Sequence, residues 1–186
     1  MIIYIHGFGS SGRGSKITKF REYYNKKGIK LIAPSLSYVP ELAIDTLEQL
    51  IKNCENPKLI GSSLGGFYAI YLANKYNLKA VLINPAVKAT KTLLKYVEQG
   101  EMATNYYDLS RFEFNLKHLN MLKEYVVDNP NAKYLLMLQK GDEVLNYQDA
   151  LNLLPNAELI LEDGGNHSFE GIERYFKEID KFLFEN

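Results

Sequence analysis

Residues 61–66 read Gly-Ser-Ser-Leu-Gly-Gly, a G-x-S-x-G pattern centred on Ser63. That spacing suits a serine nucleophile on a sharp strand-to-helix turn, where small residues two positions to either side avoid clashes. The apolar run KLIGS (58–62) precedes it and a helical pattern over 64–76 follows, so the motif falls at the junction the chemistry requires. With 13 glycines in 186 residues, chance would supply the pattern in only about 0.04 places. A glycine-rich turn with incidental serines is therefore the weaker reading.

A serine hydroxyl is a poor nucleophile without a base. The chain offers His6, His118 and His167. On a strand–turn–helix scaffold the expected chain order is serine, acid, histidine. His167 lies in EDGGNHSF, after the last apolar run and before the last helical pattern. The acid should end the preceding strand, where LLMLQKGDEVLNY (135–147) supplies Asp142, with Glu143 as second choice. Taken singly, each is an ordinary loop histidine or solvated turn acid. Together they are three suitable residue types in the right order, each after a different expected strand.

Acyl transfer passes through an oxyanion that two backbone N–H groups typically stabilise. Leu64, the residue after the nucleophile, should give one. Phe8, in His6-Gly7-Phe8-Gly9 after the first strand, should give the other and point toward Ser63 Oγ. The glycines allow that backbone to approach closely, and His6 is expected to pack and position the loop. The same loop, Gly7-Phe8-Gly9-Ser10-Ser11-Gly12, also matches a G-x-G-x-x-G dinucleotide turn. That reading needs an acid about 20 residues on, and the second strand ends instead in Ala33-Pro34-Ser35. A P-loop fails too, because Arg13-Gly14 stands where Lys-Ser/Thr is required.

These residues need a frame. Apolar runs at 1–5, 30–34, 58–62, 80–84, 133–139 and 157–162 read as strands. Helical patterns cover 15–27, 41–53, 64–76, 147–154 and 169–184. Such alternation predicts an α/β fold, a mainly parallel sheet with helices on both faces. Right-handed crossovers then gather the loops after the strands along one sheet edge, where such proteins build their sites. The rhythm weakens over 86–130, which reads as a small helical, cap-like excursion. Its Tyr, Phe and Leu residues either line an acyl pocket or cover the sheet edge. His118, within it, should pack or face solvent.

The length suits one domain, 1–186. Lys+Arg and Asp+Glu are both 22, so the net charge is zero. That argues against a nucleic-acid partner, which calls for a basic excess. A single cysteine, Cys54, cannot form an internal disulfide, and MIIYIHG lacks a signal-peptide pattern, so the expected home is cytoplasmic. No apolar run is long enough for a membrane span, and the histidines and Cys54 lack metal-ligand spacing.

YIHGFGSS (4–11), IGSSLGGFYA (60–69), LINPAV (82–87), KGDEVLNY (140–147) and EDGGNHSFEGIERY (162–175) together resemble the small YqiA-type esterases of the α/β-hydrolase superfamily. The resemblance implies a minimal α/β-hydrolase fold with six strands in the order 2-1-3-4-5-6. It also implies hydrolysis of a small-molecule carboxylic ester or acyl thioester by Ser63, Asp142 and His167, with no metal or organic cofactor. Two alternatives share these residues: a non-catalytic or weakly catalytic protein-binding module on a hydrolase scaffold, and an acyltransferase or small peptidase.

Overall fold

The apolar runs of the sequence become the central sheet of the computed structural model, which describes residues 1–185. Asn186, the last residue of the expected 1–186 unit, lies outside the described residues. Strands β1 (Ile2–Ile5), β3 (Lys58–Ser62), β4 (Ala80–Ile83) and β7 (Tyr134–Gln139) are almost wholly buried. Continuous Ile, Leu and Val runs suit strands covered on both faces. With the edge strands β2 (Leu31–Ile32) and β8 (Glu158–Glu162) they form a parallel sheet in the order β2-β1-β3-β4-β7-β8. This is the expected 2-1-3-4-5-6 order, since β7 and β8 are the fifth and sixth expected strands.

Alternate side chains divide the core into two layers. Ile2, Tyr4, Ile60, Val81 and Ile83 face α1 (Ser15–Lys26) and α7 (Phe176–Phe184). Ile3, Ile5, Leu59, Ala80 and Leu82 face the other layer, which includes α2 (Pro40–Lys52), α3 (Leu64–Tyr76) and α6 (Tyr147–Leu153). The helices that alternate with the strands thus cover both faces, as expected. No helix among the described residues is long and apolar enough to cross a membrane.

Two expected elements are shorter in the structure. The strand expected over 30–34 keeps its ladder only at Leu31 and Ile32, paired with Ile2 and Ile3. Pro34 lacks the N–H needed to extend it. The helix expected over 169–184 begins as a 3₁₀ turn, Ile172–Tyr175, and becomes α7 only at Phe176. Phe169 and Gly171 ahead of it hold φ of 61° and 71°, outside the helical region.

The excursion between β4 and β7 is only partly helical. It holds α4 (Ala89–Gln99), the antiparallel hairpin β5 (Met102–Thr104) and β6 (Arg111–Glu113), and α5 (Leu116–Lys123). Three-residue strands are too short to leave a clear alternation in the sequence. His118 caps α5 with Asn115, accepting the Asn115 N–H at 3.2 Å, and its ring packs edge-on to Tyr38.

Candidate active site

Ser63 stands between β3 and α3 with φ 55° and ψ −122°. A serine in that region is strained by about 1–3 kcal/mol and persists only where its surroundings over-determine it. Here its N–H donates to Ile83 O at 3.1 Å, while its carbonyl accepts from the Gly66, Phe67 and Ala86 amides at 2.9, 3.3 and 2.9 Å. The flanking glycines are steric necessities: a Cβ at Gly65 would strike the Ile5 carbonyl, and one at Gly61 the Gly65 carbonyl.

The structure brings the three residues singled out from different loops into one hydrogen-bonded line. Ser63 Oγ lies 3.0 Å from His167 Nε2. His167 Nδ1 lies 2.8 Å from Asp142 Oδ2 and 3.0 Å from Oδ1. An ionised carboxylate only accepts, so Nδ1 carries the proton and Nε2 is free to accept from the serine hydroxyl.

The Asp142 side chain is only 2% exposed. Burial pushes its carboxyl up, but the His167 hydrogen bond and the Leu145 and Val144 amides outweigh that and hold it below the ordinary carboxylate range. Both amides donate to Oδ1 at 2.8 Å. Glu143, the second-choice acid, is placed differently: its Oε2 accepts the His167 backbone N–H at 3.0 Å and is not paired with the ring.

Two buried amides missed by the sequence reading secure the histidine loop. Gln139 Oε1 accepts the Asn166 and Glu170 N–H groups at 3.0 and 2.8 Å, and its Nε2 donates to the Glu162 carboxylate at 2.6 Å. Asn84 donates to the carbonyls of Asn166 and His167 at 3.0 and 3.1 Å and accepts the Gln139 N–H at 3.0 Å. Both are 2% exposed. Their only signal in the sequence is a polar residue closing an apolar run, in AVLIN and KYLLMLQ.

The loop after β1 passes directly over the serine. A Cβ on Gly7 would sit 3.1 Å from Ser63 Cβ. His6 ties this loop down, with Nδ1 donating to Gly7 O at 2.8 Å and Nε2 accepting the Leu36 N–H at 2.9 Å. Burial lowers the His6 pKa, which suits this neutral bridging role. The Phe8 ring is clasped by Tyr96, Phe112 and Phe114, with centroids 5.3, 5.4 and 5.2 Å away. The excursion therefore grips the loop that carries the Phe8 amide. A second grip comes from the hairpin, where Tyr106 N–H donates to Gly9 O at 2.7 Å.

Ser63 and His167 open onto a cavity of about 560 Å³ whose wall includes Tyr4, Phe8, Lys16 and Tyr106. Lys16 Nζ donates to Ser62 Oγ at 2.7 Å. Burial lowers this lysine to about 8, against an opposing pull from Asp142. In the sequence it looks like any lysine at the start of a helix. A smaller cavity of about 200 Å³ lies along the other side of the Phe8 loop, between Leu36, Tyr38, Leu64, Tyr68 and Phe112.

The model of the family described as "Uncharacterised protein family (UPF0227)" matches residues 1–184. The UPF0227 protein YcfP of Salmonella paratyphi A is 23% identical over 188 residues, covering 98% of each chain. Among solved structures, mouse alpha/beta hydrolase domain-containing protein 10 aligns with a TM-score of 0.76 at 21% identity, over 97% of this chain and 88% of that one. A Paleococcus ferrophilus monoacylglycerol lipase aligns with a TM-score of 0.74 at 17% identity, over 98% and 93%. The sheet order and these likenesses identify the fold as that of the α/β hydrolases.

Proposed function

The chain belongs to the UPF0227 family and carries the α/β-hydrolase fold; from these we propose that it is a serine hydrolase of carboxylic esters or acyl thioesters. The observation that carries the reading is the line Asp142–His167–Ser63, with contacts of 2.8 and 3.0 Å at a strained strand-to-helix turn. Relatives in fold that are named as hydrolases and a lipase support the reaction class.

The chemistry follows from the protonation pattern. Ser63 Oγ attacks the acyl carbonyl as its proton passes to His167 Nε2, and the imidazolium is balanced by ionised Asp142. The carbonyl oxygen becomes an oxyanion, received by the N–H groups of Leu64 and Phe8. The bond to the leaving alcohol or thiol then breaks, and the departing atom takes the proton from Nε2. Water, deprotonated by the same imidazole, attacks the acyl-enzyme and returns Ser63 and the free acid.

Hydrolysis of p-nitrophenyl esters and acyl thioesters by the wild-type protein and by Ser63→Ala tests this. Turnover should fall by roughly four to six orders of magnitude in the variant. Equal rates in the two proteins, or no turnover by either, would overturn it.

A further inference from the structure

Lys16 is the one ammonium in the wall of the serine cavity that forms no ion pair among the described residues, the Asp142 charge acting on it only from a distance. Lys19, at the rim, pairs with Glu173 at 2.9 Å. Glu170, also on the rim, is exposed and forms no ion pair with Lys16. The partner Lys16 does have is Ser62 Oγ, which occupies only one of its three donors. Ser62 directly precedes Ser63, so a charge at Lys16 stands beside the reacting centre. Burying an ammonium beside a neutral hydroxyl is costly unless something else compensates. A lysine serving only as packing would leave its head in water, as long basic side chains ordinarily do.

The surroundings favour an anion as the compensating group. Lys16 lies in the first turn of α1, whose cap residue, Gly14, brings no side-chain acceptor to the free N–H groups. Those amides and the helix dipole add positive potential where Gly14, Ser15 and Ile17 line the same cavity. Ser10 also lines it, as it does the cavity across the Phe8 loop. The cavity across the Phe8 loop has no lysine or arginine in its wall and is edged by Leu36, Tyr38 and Phe112. The Phe8 loop thus separates a compartment walled by a lysine from one with no lysine or arginine but several aromatic side chains.

We infer that the cavity beside Ser63 binds the anionic group, carboxylate or phosphate, of an ester or thioester substrate, with Lys16 as the specificity-determining contact. This rests on the hydrolase reading for its substrate class, but the anion site can be measured without turnover. In Ser63→Ala protein, calorimetric titration with monomethyl glutarate and with phenyl phosphate separates carboxylate from phosphate. Methyl valerate serves as the neutral control. At least one anion should bind more tightly than the control, and Lys16→Met should weaken it by about tenfold or more, while Lys16→Arg retains much of it.

In wild-type protein, p-nitrophenyl hemiglutarate is compared with p-nitrophenyl valerate, and 3-carboxyphenyl butyrate with phenyl butyrate. Charge then falls on the acyl side or on the leaving-group side. In one pair the charged ester should be preferred, and Lys16→Met should abolish that preference, as read from the ratio of kcat/KM for the charged and neutral esters. Loss of activity on charged and neutral esters alike would mark Lys16 as structural and overturn the inference. So would absence of anion binding in Ser63→Ala, or binding unchanged by Lys16→Met. Anion binding that survives while no ester is turned over would instead sink the hydrolase reading and leave the anion site standing.

Discussion

The strain at Ser63 and its contact with His167 are separable by substitution. Alanine keeps the strained backbone and loses the hydroxyl; glycine loses both. Positive φ costs glycine little, although its extra freedom in the unfolded chain takes back part of the gain. Ser63→Gly should therefore be more stable than Ser63→Ala by about 1 kcal/mol, with both inactive. Denaturant unfolding of the two variants measures the difference, and a less stable glycine variant would contradict the account of the turn. Asp142 gives a pH signature. Its folded pKa is depressed below an unfolded value of about 3.9. Its contribution to stability is therefore present above that value and lost as pH falls through the folded one. The stability gap between wild type and Asp142→Asn should be widest near neutral pH and narrow below about pH 4, as read from unfolding curves at several pH values.

At the scale of elements, the loop carrying His167 is held by the ends of β4 and β7. Gln139→Leu would leave the Asn166 and Glu170 amides without their acceptor. It should cost about 1–3 kcal/mol of stability and lower kcat/KM, because the loop it holds carries His167 together with the cavity-lining residues Asn166 and Glu170. The hairpin and α4 hold the loop after β1 through Phe8. Phe112→Ala opens one side of that clasp and should slow neutral and charged esters alike, unlike Lys16→Met. The meeting of Ser63, Asp142 and His167 was legible in the sequence because three suitable residue types follow three different expected strands in the order serine, acid, histidine, although each alone reads as an ordinary turn residue. Gln139, Asn84 and Lys16 were not. Their roles depend on long-range contacts, such as the 46 residues separating Lys16 from Ser62, which no local pattern encodes. The hairpin was missed for a related reason: β5 and β6 are stabilised by each other and by contact with the Phe8 loop, not by their own alternation.

At the scale of the molecule, the parallel sheet does most of the positioning. Buried apolar runs and turn residues sufficed to read six strands and the edge at which the loops meet, while their order followed from the family resemblance and agrees with the observed sheet. The two side-chain layers of each strand send β1, β3 and β4 residues to opposite helix layers, and the serine cavity opens on the layer that holds α1 and the 3₁₀ turn. The central claim is that this arrangement activates one serine. A fluorophosphonate probe, with the adduct located by mass spectrometry, tests it most directly. The account predicts one adduct, on Ser63, absent in Ser63→Ala and formed far more slowly in His167→Ala. A folded protein that leaves Ser63 unlabelled, or that labels equally fast without His167, would contradict it.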